Sequence, residues 1–261
     1  MSLTPGGFDP GHYAPLFDAE ERHFWFRARN TVLEALVRSE IAPLSPGYRV
    51  LEVGCGTGYV LRMLDRVCHR GVVVGMDLFA EGLRMSQRRS PARLVQGRVE
   101  QSPFRERFDL IGLFDTLEHV EDDEAALGYL RNMMTPKGAL LITVPAFQAL
   151  WSDFDVESHH CRRYEPAALE QKLIAAGFDV EYQTPFMAAL YPVARAGRFV
   201  ADKLRSKRGN GHTKSAVKEQ LTIVPGLNGA LAFLLTQEAK LVSRRRHLPV
   251  GTSLLALARA R

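Results

Sequence analysis

The chain is poor in cysteine. Its three, Cys55, Cys68 and Cys161, form an odd, scattered set with no C-x-x-C pair. That argues against a disulfide framework or a cysteine-ligated zinc site and fits a reducing cytosol. Long apolar runs are missing too: none reaches the roughly 18 residues a bilayer-spanning helix needs. The N-terminus has no basic segment followed by an apolar one, so no secretory leader is expected. There is no internal repeat. These absences leave the expectation of a cytoplasmic protein, one that could sit at the inner face of a membrane. The charge excess is small, +5, so its distribution matters more than its size. A length of 261 residues with 46% hydrophobic content suits one α/β domain with decorations.

What is there centres on residues 50–58, VLEVGCGTG, and on Asp77, which closes a second apolar run, VVVGMD. A buried strand runs into a glycine-rich turn that opens a helix, and about twenty residues on an acid ends the next strand. Glycines let the backbone approach a ligand, the helix N-terminus offers unpaired N–H groups, and the acid can accept hydrogen bonds from a ribose. The spacing is Gly54-x-Gly56-x-Gly58 preceded by Glu52, which differs from the G-x-G-x-x-G of a dinucleotide binder.

Strand signals fall near 49–53, 72–77, 92–96, 108–114 and 138–144, with helices near 57–68, 79–89 and 122–134. That alternation predicts a parallel sheet wound on both sides. Residues 1–11, rich in Pro and Gly, read as a mobile tail, and 14–42 as one amphipathic helix. Residues 146–164 read as a loop, followed by a helix near 166–176 and a strand near 178–184. Two amphipathic helical patterns, near 186–206 and 226–246, flank a basic stretch, SKRGNGHTKS, that reads as a flexible loop. The organisation expected is a tail and helical cap over 1–43, a core over 44–184, an inserted helical cap over 185–250 and a final core strand over 251–261. A cap so placed most often covers a substrate.

The glycine turn resembles motif I of class I S-adenosylmethionine (SAM) methyltransferases. Residues 108–120, FDLIGLFDTLEHV, are similar to the family's fourth strand and following loop, and 136–145, PKGALLITVP, to its Pro-x-Gly turn and fifth strand. Order and spacing match from His23 to Arg259. The resemblance implies the Rossmann-like doubly wound sheet of this class, with a helical insertion before the last strand, and SAM as cofactor. It implies that Glu52, Gly54, Cys55, Gly56 and Gly58 meet the methionine end of SAM, that Asp77 takes the ribose hydroxyls, that Leu78 packs on adenine, and that Asp115 belongs to the cofactor site. After the third strand the family often carries Gly-Asp; this chain has Gly97-Arg98, so either Glu100 substitutes or backbone groups recognise the adenine. The run Glu20-Glu-Arg-His-Phe-Trp-Phe-Arg27 resembles an N-terminal element that closes over the cofactor, with Arg27 or Arg29 on the SAM carboxylate. Read from the residues alone, it is an amphipathic helix with solvated arginines and a core Trp25.

Asp115-Thr-Leu-Glu118-His119 follows a buried strand and should sit at the carboxyl end of the sheet. If a helical turn starts here, Asp115 and Glu118 share a face. The run, with a later histidine, is similar to the metal site of small-RNA 2′-O-methyltransferases and to a pattern in quinone-biosynthesis O-methyltransferases. The resemblance implies Asp115, Glu118, His119 and His160 as ligands of a divalent metal ion that would bind and acidify an acceptor oxygen. Two other readings stay open: His119 or His160 as a metal-free general base, or a structural role. The expected activity is methylation of a small-molecule or lipid-linked glycan acceptor, most naturally on oxygen. C- or N-methylation of a quinone-like or other secondary metabolite is the alternative, and a non-catalytic SAM-binding regulator a further one.

The acidic run 121–124 reads as a helix N-terminus. Arg162, Arg163 and Tyr164 could hold a substrate anion or lie in a plain surface loop. In the cap, Arg195, Arg198 and Arg244 to Arg246, with Phe186, Phe199, Phe233, Leu234 and Leu235 nearby, could make an apolar groove with a basic rim, which permits peripheral membrane association. The plainer reading is a solvated basic face. No aromatic–basic RNA module is present, so nucleic acid is not an expected partner.

Overall fold

The computed structural model describes residues 9–101, 103–205, 215–224 and 226–261; at 200–205, 218 and 219 only the backbone is described. The tail expected at the N-terminus lies outside the described residues as far as residue 8. Pro10–His12 then form a 3-10 turn in which Asp9 accepts the Gly11 N–H. The basic loop expected at 206–215 lies outside the described residues except for Ser215.

Strands β1 (Arg49–Val53), β2 (Val72–Asp77) and β4 (Phe108–Phe114) are runs of Val, Leu, Ile and Met buried almost throughout. That is the signature of parallel strands covered on both faces. With β3 (Arg93–Gln96), β5 (Met134–Pro145), β6 (Phe178–Phe186) and β7 (Ser253–Ala260) they form one seven-stranded sheet in the order β3-β2-β1-β4-β5-β7-β6. Pairing is parallel from β3 to β5, and β7 runs antiparallel between β5 and β6. The strand order reverses between β1 and β4. Their carboxyl ends therefore diverge into the crevice where open α/β sheets bind ligands.

Helices α2 (Phe24–Ile41), α3 (Tyr59–Val67) and α10 (Leu227–Ser243) cover one face through Leu33, Leu36, Leu64, Leu235 and Val242. On the other face α5 (Asp123–Asn132) and α7 (Pro166–Ala175) bury Leu127, Leu130, Leu169 and Leu173. Helix α4 (Ala80–Ser86) follows β2. The acidic run does start α5, with Asp122 accepting the Ala125 N–H at 2.9 Å.

Three expectations change. The single helix over 14–42 is two, α1 (Tyr13–Ala19) and α2, because the chain turns at 20–23. His23 is extended there, and its Nδ1 accepts the Trp25 N–H at 3.3 Å as an N-cap. Glu20 is drawn inward to Thr57 and Arg89. The loop over 146–164 contains α6 (Asp153–Glu157), started by a capping box between Ser152 and Asp155. The insertion between the last two strands holds a short third helix: α8 (Tyr191–Arg205), α9 (Ala216–Gln220) and α10.

Candidate active site

β1 delivers the chain into the glycine turn. Gly54 and Gly58 sit at φ 75° and 79°, in the left-handed region that glycine adopts without penalty. A Cβ on Gly54 would lie 2.3 Å from Thr116 Oγ1, and one on Gly58 2.8 Å from Ser86 Cα. These two glycines serve the packing of the turn against β4 and α4. Gly56 is the one that faces open space: the nearest atom to its missing Cβ is a Tyr13 ring carbon at 3.7 Å.

That space is a cavity of about 1090 Å³ at the switch point. Glu52, Gly54, Cys55, Gly56, Asp77, Leu78, Asp115, Glu118, His119 and His160 all line it, while Gly58 stands behind it at the start of α3. Asp77 is buried, and burial raises its carboxyl above the ordinary value, opposed by its donors. Its Oδ2 accepts the Gly56 N–H at 2.8 Å; its Oδ1 accepts the Phe79 N–H at 2.9 Å and the Tyr13 hydroxyl at 3.1 Å. Glu52 is buried with no partner for Oε2, and desolvation pushes its carboxyl well up despite nearby Arg29. Burial likewise pushes the Cys55 thiol up, so it is inert at neutral pH.

Arg29 projects from α2 into the same wall. It stacks on Trp25 at 5.0 Å, and its Nη1 donates to Asp115 Oδ2 at 2.6 Å. Its Nε is buried without a partner. Arg27 is exposed, so of the two arginines only Arg29 reaches the cavity. Arg98 and Glu100 both line the adjoining part.

Asp115, at φ 50°, ends β4 and precedes a 3-10 turn, Leu117–His119. The shared helical face expected for Asp115 and Glu118 does not form, since the turn begins two residues after Asp115. Asp115 goes to Arg29 and to the Thr143 hydroxyl at 3.2 Å. The other three do converge: Glu118, His119 and His160 each offer a ligand atom, all within 4.8 Å of one another. Glu118 is buried with no partner for Oε2, and burial first, then the Asp115 charge, pushes its carboxyl well up. The His119 ring meets His160 edge-on at 4.8 Å, and burial together with that neighbour lowers its imidazole to about 3.

His160 Nδ1 lies 2.9 Å from Asp155 Oδ1. Asp155 is fully buried. Burial alone would raise its carboxyl, but bonds from His160, Arg163 and Ser152 hold it down, to about 2. Both adjacent histidines line the cavity, and His160 is the one paired with Asp155. Arg162 and Tyr164 are committed elsewhere: both bind Asp123 at 2.8 Å. Arg163 binds Asp155 at 2.8 Å. All three brace the loop, and Arg163 also lines the cavity.

Two contributors escape sequence reading. Tyr13 comes from the stretch before α2, 64 residues from Asp77. Asp155 sits five residues before His160 with no periodic pattern to mark it; its only signal is the Ser152-x-x-Asp155 capping spacing.

A doubly wound sheet with a glycine turn, a buried acid ending β2 and a large cavity at the switch point defines an enzyme for a nucleoside-bearing cofactor. A family model described as a methyltransferase domain matches residues 17–183, and the chain belongs to the class I SAM-dependent methyltransferases. A Mycolicibacterium smegmatis protein named as a SAM-dependent methyltransferase is 28% identical over 166 residues, covering 62% of each chain. A ubiquinone biosynthesis O-methyltransferase of Rhodopseudomonas palustris is 27% identical over 176 residues, 60% of this chain and 67% of that one. The match thus spans under two thirds of the first relative's length. Among solved structures, a SAM-dependent methyltransferase from Clostridium acetobutylicum superimposes with a TM-score of 0.56 at 9% identity, covering 88% of this chain and 91% of that one. The Haemonchus contortus phosphoethanolamine N-methyltransferase 2, solved with SAM, gives 0.55 at 15% identity, over 87% and 52%. These two likenesses speak to the fold. No helix among the described residues is long and apolar enough to cross a membrane.

Proposed function

We propose that this methyltransferase acts on a hydroxyl of a small-molecule or lipid-linked acceptor. The carrying observation is His160 on the cavity wall, paired with Asp155 buried behind it. With its Nδ1 proton given to Asp155, His160 keeps Nε2 as the basic nitrogen. An alcohol is a poor nucleophile until its proton leaves, so a base beside the acceptor serves oxygen best. The relatives named as ubiquinone biosynthesis O-methyltransferases support the same reading.

SAM supplies a methyl group already activated by its sulfonium. Glu52, Gly54, Cys55 and Gly56, which line the cavity, would hold its methionine end, and Asp77 would take the ribose diol beside Leu78. The two orphaned polar atoms on this wall, Glu52 Oε2 and Arg29 Nε, are of opposite character, which suits a zwitterionic amino-acid end. The bound cofactor would supply the methyl group for the new oxygen–carbon bond, with S-adenosylhomocysteine as the leaving group. The acceptor proton goes to His160 Nε2. Positioning and exclusion of water supply the remainder of the acceleration.

A second reading has its own observation. Glu118, His119 and His160 present clustered ligand atoms, and the orphaned Glu118 Oε2 fits a hard or borderline cation. A divalent ion held by these three would lower the pKa of an acceptor hydroxyl.

The test is transfer from methyl-labelled SAM to a panel of phenols, sugars and polyprenyl-linked glycans, with the product linkage read by NMR. An O-methyl product, and a His160→Gln rate on the order of a hundredfold lower with cofactor binding intact, is the expected result. A methyl on carbon or nitrogen overturns it, and tight SAM binding without turnover points to the non-catalytic reading. Exhaustive chelation separates the two mechanisms: unchanged turnover removes the metal.

A further inference from the structure

The inserted segment is where the chain's charge is concentrated. Residues 185–250 hold twelve Lys and Arg against three Asp and Glu, a net +9, while the other residues hold 22 against 26, a net −4. Its last helix, α10, is apolar on two sides. The inner side, with Leu235, Ala239 and Val242, is buried against the core, where α2 lies. The outer side carries Leu227, Phe233, Leu234 and Leu241, all exposed, Phe233 at 65%. Val224, exposed just before the helix, extends it. Leu235 and Phe186, expected in the same groove, are instead core residues.

The acid of α10 does not face outward with them. Glu238 turns in to accept the Ala188 N–H at 2.8 Å, holding the 3-10 turn from which α8 departs. The outer side therefore carries no acid, and Lys240, Arg244 and Arg246, all exposed, stand at its C-terminal end. α8 adds exposed Val193 and Phe199 with Arg195 between them.

We propose that this outer face of the inserted helices docks on an anionic lipid surface. Exposed Phe and Leu enter the headgroup–acyl boundary, and the arginines and lysine stay at the phosphates, as in helices that lie on membranes. The +9 against −4 division supplies the orientation: the basic segment faces an anionic bilayer and the acidic remainder is repelled. Phe and Leu exposed on a helix whose other side is already packed make the kind of apolar surface that marks an interaction site. The face also begins close to the cavity along the chain. Leu221 lines the cavity, and Leu227 opens α10 six residues on, a reach of at most about 20 Å. That path suits an acceptor held in the bilayer, but the docking face stands on its own surface and does not rest on O-methylation.

The test is co-flotation of the full chain with vesicles of phosphatidylcholine alone and with phosphatidylglycerol added, without SAM or acceptor. Binding to the anionic vesicles that weakens with salt is expected. Phe233→Glu with Leu234→Glu, and separately Arg244→Glu with Arg246→Glu, should each weaken it by on the order of tenfold or more while leaving the melting temperature unchanged. No binding to anionic vesicles overturns the proposal, as does equal binding to neutral ones. Undiminished binding by the Phe233/Leu234 variant overturns it too. A concentration-dependent dimer in sedimentation, abolished by that variant, would assign the face to a second copy and also overturn it. Because no methyl transfer is measured, failure here and failure of the proposed chemistry are distinct.

Discussion

The Tyr13 hydroxyl donates to Asp77 Oδ1 at 3.1 Å, so the N-terminal helix closes onto the acid at the end of β2. That oxygen also takes the Phe79 N–H, and its twin takes the Gly56 N–H. A carboxylate oxygen accepts about two hydrogen bonds, and with the Leu78 N–H also directed at this carboxylate the pair is close to full. A ribose diol needs two acceptor positions. On the proposed role of Asp77, Tyr13 must withdraw its hydroxyl when the cofactor binds. Tyr13→Phe should tighten binding of S-adenosylhomocysteine by a few-fold, the scale of one hydrogen bond of about 1 kcal/mol. Asp77→Ala should weaken it by on the order of a hundredfold. Calorimetric titration reads both, and weaker binding by Tyr13→Phe would show that the hydroxyl helps hold the cofactor.

Helix α1, which begins at Tyr13, is anchored by Arg89, whose side chain is 3% exposed. Its guanidinium binds Glu20, Thr57 and the Phe17 carbonyl and stacks on Phe17 at 3.8 Å. Arg89→Met leaves Glu20 buried without its counter-charge. Such a loss costs about 3–5 kcal/mol where the partner stays buried; here α1 can instead lift away. The expected outcome is faster hydrogen exchange and proteolysis confined to residues 9–22, with the melting temperature of the core little changed. A global loss of stability would mean that α1 is part of the cooperative core.

Arg29 and Asp115 form a second, largely buried ion pair on this wall of the cavity, at 2.6 Å. Arg29→Met should destabilise by about 3 kcal/mol, because Asp115 and the already strained Glu52 both lose their nearest cation. Adding Asp115→Asn removes one of the stranded charges and should recover about half. The double-mutant cycle, read by urea unfolding, gives a coupling above about 1 kcal/mol if the pair acts as a unit. Additive effects would refute that.

The sheet was legible because its signals are local. β1, β2 and β4 are unbroken apolar runs, and Gly54, Gly56 and Gly58 must follow such a strand to make the turn. Asp77 was legible from its distance to that turn. Less was visible wherever tertiary contact overrides periodicity. The 3.6-residue pattern over 14–42 runs through the break at 20–23, which exists because Glu20 bonds to Thr57 and Arg89 far along the chain. In the candidate cluster the residue types Glu118, His119 and His160 were readable. That Asp115 leaves them for Arg29, and that Asp155 joins them, depends on α2 and α6, whose approach no spacing encodes. Phe186 and Phe233 look alike in sequence, yet one is core and the other exposed, because only the docking of α10 decides which side is covered.

His119 ties the cluster to pH. Burial and the neighbouring His160 lower its imidazole to about 3, from an ordinary value of 6.5. Between these values the unfolded chain binds a proton that the folded chain excludes, so stability rises with pH through this window. The contribution is complete above about 6.5 and is lost progressively as pH falls towards 3. Asp155, held near 2, also loses stability on acidification, but only below the ordinary carboxyl value near 3.8. Glu118, whose carboxyl is pushed up by burial, works in the opposite sense, since protonation relieves it. The window from 6.5 to 4.5 therefore isolates His119 by difference. The melting temperature of the wild type should fall across it by several degrees more than that of His119→Gln, a shift set by about 1–2 kcal/mol in a chain of this length. Parallel curves for the two proteins would mean that the folded imidazole takes up its proton at the same pH as the unfolded one, so that burial of His119 carries no proton-linked stability.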